Sequence, residues 1–208
     1  WEPAAPCLRI LHWWTAGLGM QLVHGAAVGV ADSGVMLVGR GGSGKSTTAL
    51  ACLGSSVSYL ADDYCVISFE DTLRVHSLYA SGKADNASVR LLPSLASAFA
   101  GSRERVDGKR VIFCAEQFPS SLLRSCILRA VVVPRIGAAR PRLSPIAAAQ
   151  ALRMMAPSTM MQLPGDRAST LARLARVVRE IPCYAMDVGR DPYAAVPLLD
   201  SLARGEVA

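Results

Sequence analysis

The sequence predicts an α/β fold, a sheet with flanking helices, from three adjacent observations. Residues 34–39 are a short apolar run with the length of a buried strand. Residues 39–46 read Gly-Arg-Gly-Gly-Ser-Gly-Lys-Ser, which has the G-x-x-x-x-G-K-S/T spacing of a P-loop. Residues 47–53 continue as an apolar segment typical of a helix. Strand, glycine loop and helix therefore follow in the order that a P-loop requires.

The P-loop motif predicts a site for a polyphosphate. Its glycines allow a tight turn whose backbone N–H groups point at an anion, and the following helix directs its N-terminus at the same place. Lys45 can reach the terminal phosphates, and the Ser46 hydroxyl can hold Mg²⁺. A chance glycine-rich turn is the alternative, but the strand and helix around the motif argue against it. We expect nucleotide contacts from Gly39, Arg40, Gly41, Gly42, Ser43, Gly44, Lys45, Ser46 and Thr47.

The remaining elements follow from hydrophobic periodicity and turn residues. Apolar residues at helical spacing predict further helices at 8–18, 146–155, 166–180 and 196–204, and Asp166 is a suitable N-cap for the third. Alternating or β-rich runs predict strands at 21–30, 35–38, 57–60, 64–69, 73–78, 110–114, 125–133 and 184–188. A turn at 32–34 joins the first two strands. Residues 80–110 are less regular, because glycine and proline interrupt them.

Length and composition indicate one globular domain. With 208 residues, of which 51% are hydrophobic and 18% charged, the chain can bury a substantial core. We expect an N-terminal helical segment at 1–20, followed by a single domain at 21–208. Because the chain begins with Trp1, we expect its natural start to lie upstream.

Charge, hydropathy and cysteine spacing exclude several other classes. A net charge of +6 does not by itself indicate a nucleic-acid partner, and no apolar run is long enough to cross a bilayer. The six cysteines form no C-x-x-C pair, and the three histidines do not cluster with them. We therefore expect buried, reduced thiols, no zinc site, a cytoplasmic location, and neither a membrane nor a nucleic-acid partner.

An acidic pair follows the P-loop helix. Asp62 and Asp63 end the strand that returns from this helix, so they are expected beside the phosphate site. One carboxylate can assist Mg²⁺, which we assign to Asp62, and the other can accept a proton from an attacking hydroxyl, which we assign to Asp63. The alternative is a solvated turn.

Three further residues, His24, Lys83 and Arg135, are weaker candidates. His24 precedes the P-loop on an apolar strand, where a lone histidine is usually a core residue. Lys83 follows a small-residue turn and could neutralise a transferring phosphoryl group, or could be an exposed surface lysine. Lys109 fits a plain turn better. Arg135, at a strand end, could reach a phosphate. Lys45, Lys83 and Lys109 are the only lysines, since the other basic residues are arginines.

Residues 21–69 resemble the HPr kinase/phosphorylase family and its kinase-only relatives. The resemblance lies in His24-Gly25, the P-loop, Thr48-Ala49-Leu50 and Ala61-Asp62-Asp63. It implies a P-loop fold with a mixed sheet, related to phosphoenolpyruvate carboxykinase, and ATP-dependent phosphorylation of a serine hydroxyl. It also implies that Asp63 is the catalytic base, that His24 supports the site, and that Lys45 binds phosphate.

Two departures from the family pattern matter. The bifunctional enzymes carry an acidic residue where this chain has Thr47, and their downstream glycine-rich signature with a Mg²⁺-binding glutamate is not found. We therefore expect no phosphorylase activity. The chain looks more like the short serine kinases without the long enzymes' N-terminal domain, some of which modify precursor peptides of lasso peptides.

The sequence thus predicts a kinase at 21–208 that uses ATP and Mg²⁺ to phosphorylate a serine on a peptide or small protein. A small-molecule kinase of the shikimate-kinase type is the first alternative, although such enzymes usually continue into a helix where this chain predicts a β-hairpin. A nucleotide-binding regulator without catalysis is the second. A homo-oligomer is compatible with all three readings.

Overall fold

The computed structural model describes residues 5–102 and 107–206, which form an α/β fold with a large mixed sheet and flanking helices. The helices are α1 (Leu8–Gly17), α2 (Lys45–Ala51), α3 (Asn86–Arg90), α4 (Ala96–Ala100), α5 (Cys114–Gln117), α6 (Ala148–Gln162), α7 (Arg167–Glu180) and α8 (Val196–Arg204). The strands are β1 (Gln21–His24), β2 (Ala26–Val30), β3 (Ser33–Leu37), β4 (Ser58–Ala61), β5 (Tyr64–Phe69), β6 (Leu73–Ser77), β7 (Ser81–Asp85), β8 (Lys109–Phe113), β9 (Ser125–Arg135), β10 (Arg142–Pro145) and β11 (Cys183–Asp187).

The long strand β9 organises the main sheet, whose path is β1-β5-β6-β9-β3-β2-β4. β9 pairs antiparallel with β6 near its start and parallel with both β3 and β11 further along, while β10 pairs antiparallel with β11. The sheet is therefore mixed, as expected. β7 and β8 form a separate antiparallel pair, called the ribbon below.

Hydrophobic layers cover both faces of the main sheet. In β3, Val35 and Leu37 lie in one core cluster, and Met36 lies in the other, because successive side chains of a strand point to opposite faces. The first cluster includes residues of α2, α8 and the ribbon, and the second includes residues of α6 and α7. The P-loop helix is thus held between the sheet and the ribbon.

Several predicted elements are confirmed, with shifted boundaries. The hairpin of β5 and β6 is present, and the Asp166 carboxylate accepts a hydrogen bond from Ala168 N at 2.9 Å at the start of α7. The predicted strand 21–30 is broken at Gly25, where a Cβ would lie 2.9 Å from the Leu37 carbonyl oxygen. The following turn lies at 31–32 rather than 32–34, with Ala31 at φ 50°.

The region 80–110 is where the sequence interpretation was wrong. Ser81-Gly82-Lys83 was interpreted as a turn, but these residues begin β7, which pairs with β8 in the register Ser81 opposite Phe113. Residues 86–90 and 96–100 form short helices. The local glycine and serine content indicated a turn. The strand forms because it pairs with β8, which lies far along the chain and leaves no local signal.

The remaining composition-based expectations can be checked within the described residues. Five cysteines are buried there, while Cys7 is exposed. Burial raises the pKa of the thiols of Cys52 and Cys65 to about 12. The described residues contain no group of three His, Cys, Asp or Glu side chains that could hold a metal ion. None of the described helices combines the length and the apolar character needed to cross a membrane.

Candidate functional site

The glycine loop (residues 39–44) connects β3 to α2 in a conformation that only glycine adopts easily. Gly39, Gly42 and Gly44 have φ values of 148°, 76° and 97°, in or near the left-handed region where a side chain causes strain. Gly44 also lies close to the residue that follows β9, since a Cβ there would be 3.3 Å from Ile136 Cγ2. The motif therefore has the tight backbone that its spacing predicts.

Lys45, the first residue of α2, is buried and spans the glycine loop. Its Nζ donates hydrogen bonds to the carbonyl oxygens of Gly39 (2.9 Å) and Arg40 (3.0 Å). Burial lowers the pKa of Lys45, and the charges of Asp62 and Asp63 act in the opposite direction. The ammonium group is thus held at the loop by carbonyl dipoles and by the acidic pair.

The acidic pair sits in a tight turn between β4 and β5. Asp63 has φ 62°, and Tyr64 N donates to the Asp62 carbonyl oxygen at 2.8 Å, which closes a γ-turn around Asp63. The Asp63 carbonyl oxygen accepts a hydrogen bond from Gly25 N at 3.0 Å, at the break between β1 and β2. Strained backbone of this kind is common at functional sites and is maintained by the surrounding structure.

Asp62 is buried beside the P-loop helix. Its Oδ2 accepts a hydrogen bond from Lys83 N at 3.4 Å, whereas its Oδ1 has no hydrogen-bond partner within the described part of the chain. Burial, and secondly the charge of Asp63, raise the pKa of Asp62 to about 6, while a hydrogen bond with Ser46 lowers it. A buried carboxylate oxygen that lacks a partner, next to a serine hydroxyl, fits a divalent cation.

Asp63 lies between a lysine and a histidine. One carboxylate oxygen forms an ion pair with Lys83 Nζ, and the other lies 4.0 Å from His24 Nε2, which is too far for a hydrogen bond. The Asp63 side chain is 19% exposed, so an acceptor can reach it from solvent. The ion pair fixes the carboxylate next to the buried Asp62.

His24 is held in place from the opposite side by α6. Its backbone N donates to Thr159 Oγ1 at 3.1 Å. Burial, and secondly the charge of Lys45, lower the pKa of His24 to about 4, against the effect of Asp63. The imidazole is therefore neutral at neutral pH and contributes no positive charge to the site.

The ribbon forms the wall opposite the glycine loop. Lys83 and Asp85 alternate along β7, and Asp85 lies directly opposite Lys109 of β8. Paired residues of an antiparallel ladder project to the same side, so Lys83, Asp85 and Lys109 share one face. On the other face, Ala84 and Ile112 lie in the core cluster. Lys83, Asp85 and Lys109 thus lie on the cavity side, whereas Arg110, paired with Ala84, belongs to the other face.

A cavity of about 130 Å³ lies between the two walls. Most of the site residues expected from the sequence line it: His24, Gly41, Gly42, Gly44, Lys45, Ser46, Thr47, Asp63 and Lys83. Gly39 and Arg40 instead accept hydrogen bonds from Lys45, and Ser43 lies half-buried in the loop. Asp62 lies behind the cavity, joined to Lys83 N.

Three cavity residues were missed or misjudged from the sequence. Asp85 and Ser88 line the cavity, and Thr47 Oγ1 donates to Ser88 Oγ at 3.1 Å. Lys109, interpreted as part of a plain turn, is the first residue of β8 and also lines the cavity. The rarity of lysine in this chain was the one signal for Lys109. Lys83 is buried, which rules out the surface-lysine alternative.

Two other parts of the molecule, the end of β9 and a cavity near α1, do not combine a glycine loop with lysines and a carboxylate. Arg135 lies at the exposed end of β9, opposite Asp187 of β11, and is not among the residues that line the cavity. A larger cavity of about 440 Å³ lies near α1 and the connection from α6 to α7, lined by residues such as Arg9, Met160 and Arg167. Its described lining contains no carboxylate, so the candidate site is the smaller cavity.

Comparison with known proteins identifies no family. No family model matches the chain, and no curated protein matches it. Among solved structures, the Hpr(Ser) kinase/phosphatase from Coxiella burnetii matches 89% of this chain and 90% of its own, with a TM-score of 0.46 and 14% identity. A similarity at this level assigns no role to any residue of this chain.

Proposed function

We propose that this protein is a kinase that uses ATP and Mg²⁺ to phosphorylate a serine hydroxyl on a peptide or small protein. The observation that carries the proposal is the joint lining of one cavity by the glycine loop, Lys45, Lys83 and Asp63. A phosphate-binding loop, two cations and a carboxylate are what phosphoryl transfer to a hydroxyl requires. In this proposal residues 21–208 are the catalytic domain, and α1 belongs to a preceding segment, 1–20.

The donor would be held by the wall that the P-loop motif builds. The backbone N–H groups of the glycine loop and the N-terminus of α2 favour the negative charge of a polyphosphate. Lys45 already lies across the loop, from Gly39 to Arg40, and can exchange these carbonyl contacts for phosphate oxygens.

The Ser46 hydroxyl and Asp62 would hold Mg²⁺. The partnerless Oδ1 of Asp62 is the observation that fits a cation here. When bound, Mg²⁺ supplies charge neutralisation on the phosphate oxygens. The pKa of Asp62, raised to about 6, still leaves the carboxylate mainly ionised above neutral pH.

Asp63 would act as the general base. As the acceptor oxygen forms its bond to the γ-phosphorus, its proton moves to the Asp63 carboxylate, and the bond from the γ-phosphorus to the bridging oxygen breaks to release ADP. Lys83 fixes this carboxylate through their ion pair. His24, neutral and close by, packs against the site without adding a competing charge.

An open rim favours a chain-like acceptor. Beyond Asp63 the chain continues into the β5–β6 hairpin rather than into a covering helix, and the cavity itself is small. An extended peptide could therefore insert one serine side chain while the rest of it lies outside. The chemistry needs only an alcohol in line with the γ-phosphate, so the acceptor has to be tested directly.

The test is mass spectrometry of acceptors after incubation with ATP and Mg²⁺. Candidate precursor peptides and small proteins are compared with a panel of small alcohols, using wild type, Asp63→Asn and the control Asp71→Asn, an exposed carboxylate in the β5–β6 turn. We expect Asp63→Asn to lower transfer by about 10²-fold or more and Asp71→Asn to leave it unchanged. Calorimetry should show that Asp63→Asn keeps nucleotide binding and that Lys45→Ala loses it.

Three results would contradict parts of the proposal. Near-normal transfer by Asp63→Asn would place the base elsewhere, with Asp62 next to be examined. Phosphate on a small alcohol, with every peptide untouched, would indicate a small-molecule kinase. Folded wild type that binds no nucleotide would rule out a kinase altogether.

A further inference from the structure

Every lysine of this chain lies on one cavity. Lys45, Lys83 and Lys109 are the only lysines among 22 basic residues, and they come from α2, β7 and β8. All three line the space between the glycine loop and the ribbon. Lysine carries a compact and strongly hydrated charge on a flexible stem, which suits contacts with phosphate oxygens.

The fold gives Lys109 a fixed position on the side of the cavity opposite the glycine loop. Its strand pairs with β7 along five residues, and its own partner is Asp85. The Asp85 carboxylate accepts a hydrogen bond from Ser88 N at 2.7 Å, which ties this end of the ribbon to α3. The opposite face of the ribbon is anchored in the core through Ala84 and Ile112. Lys109 is therefore carried by a packed element.

The charge of Lys109 acts on groups at both sides of the cavity. It contributes to lowering the pKa of Lys45, beside the glycine loop, and the pKa of His24, beside Asp63. Lys83 is differently placed, because its ammonium group forms an ion pair with Asp63. Lys45 therefore contacts the carbonyl oxygens of the glycine loop, and Lys83 pairs with Asp63, the proposed base. Lys109 lies across the cavity from the loop.

We propose that Lys109 is a ligand of the γ-phosphoryl group of a bound nucleoside triphosphate, contacting it from the side that the glycine loop does not reach. The inference rests on the proposed kinase function. During transfer the charge of this group is spread over three equatorial oxygens, so contacts from the loop side alone leave part of it uncompensated. A cation on the ribbon supplies the missing side and distinguishes a triphosphate from a diphosphate.

The test compares binding of a non-hydrolysable ATP analogue with binding of ADP, both with Mg²⁺, by calorimetry. Wild type, Lys109→Met and Arg110→Met are used. Arg110 is a matched control, because it lies on the same strand but donates to Ser102 O (2.7 Å) and to Asn86 Oδ1 (3.2 Å), away from the cavity. Lys109→Met should weaken the analogue by about tenfold or more and ADP by much less. Arg110→Met should change the ratio of the two affinities little.

The outcomes separate the two levels of the proposal. Wild type that binds neither nucleotide would overturn the kinase function, and this inference with it. Wild type that binds both, with Lys109→Met weakening both equally or neither, would overturn the role of Lys109 alone. Lys109→Arg, which keeps the charge, should recover part of the lost affinity for the analogue. Thermal unfolding of each variant shows that it is folded, and Lys109→Gln replaces Lys109→Met if that variant is not.

Discussion

The two walls of the cavity are built in different ways. The loop wall comes from one continuous stretch of chain, in which β3, the glycine loop and α2 follow each other directly. The ribbon wall comes from two strands, β7 and β8, whose register is set by pairing between residues as distant in sequence as Ser81 and Phe113. One wall depends on local backbone conformation and the other on long-range packing, so mutations should affect them through different mechanisms.

Three contacts tie the ribbon side to the rest of the site, one to the acidic turn between β4 and β5 and two to α2 of the loop wall. Lys83 pairs with Asp63, Thr47 donates to Ser88, and Gly82 lies so close to Leu50 of α2 that a Cβ on it would be 2.5 Å from Leu50 Cδ2. The first contact is ionic, the second is a hydrogen bond, and the third is steric. Their removal offers three ways to separate the effect of each wall.

The largest effect is expected at His24, which lines the cavity together with residues of both walls. Its pKa is about 4 in the folded protein and 6.5 in the unfolded chain, so the folded state binds fewer protons between these values. The stability that neutral His24 contributes is therefore complete above pH 6.5 and is lost as pH falls toward 4. Asp62, with a raised pKa, acts in the opposite direction as pH falls from 6.

His24→Asn, which cannot titrate, isolates this contribution. The difference in the free energy of unfolding between wild type and His24→Asn should shrink as pH falls from 6.5 to 4, by up to about 3 kcal/mol. Urea unfolding at several pH values measures this difference. Lys83→Met in the same series shows how much the charge of Lys83, on the ribbon, contributes to lowering the pKa of His24. A difference that is constant with pH would mean that His24 titrates normally.

A somewhat smaller effect is expected when the ribbon is pushed off α2. Gly82→Val places a side chain against Leu50, and such overpacking should cost about 1–3 kcal/mol of unfolding free energy and lower phosphoryl transfer by displacing Lys83. The control is Gly101→Val, since no atom lies within 4 Å of a Cβ there. Equal stability for both variants would show that the ribbon does not depend on close packing against the loop wall.

The smallest effect is expected from the hydroxyl contact. Thr47→Val keeps the shape of the side chain but removes its hydrogen bond to Ser88, which should cost about 0.5–1.5 kcal/mol. Thr72→Val, at an exposed turn, is the control. In a double-mutant cycle with Ser88→Ala, the two costs should be less than additive, and the remaining cost of Ser88→Ala reflects its hydrogen bond to the Asp85 carboxylate. Additive costs would mean that the two hydroxyls do not act together.

The contrast between the walls also explains which parts of the molecule the sequence revealed. The roles assigned to Lys45 and Asp63 depend on short spacings around one helix, and the cap at Asp166 depends on a signal within one turn. Because these patterns are local, they can be recognised in a single sequence. The site roles themselves stay predictions until they are tested by mutation.

The ribbon could not be read in the same way. Gly82 lies in a stretch of small residues that suggested a turn, but in the structure a Cβ at this position would lie 2.5 Å from Leu50 Cδ2. The strand is stabilised by pairing with β8 and by burial of Ala84, which are consequences of the folded structure rather than of neighbours in sequence. Tertiary packing overrides local preference in such strands, and Lys109 was misjudged together with them.

The grouping of the lysines has a practical consequence for spectroscopy. In most proteins a lysine-selective isotope label reports on the whole surface, because lysine is abundant and exposed there. Here the same label would place its signals at Lys45, Lys83 and Lys109 alone. A label incorporated through one amino acid would thus give a spectrum of a single cavity, with one signal from each wall-forming element.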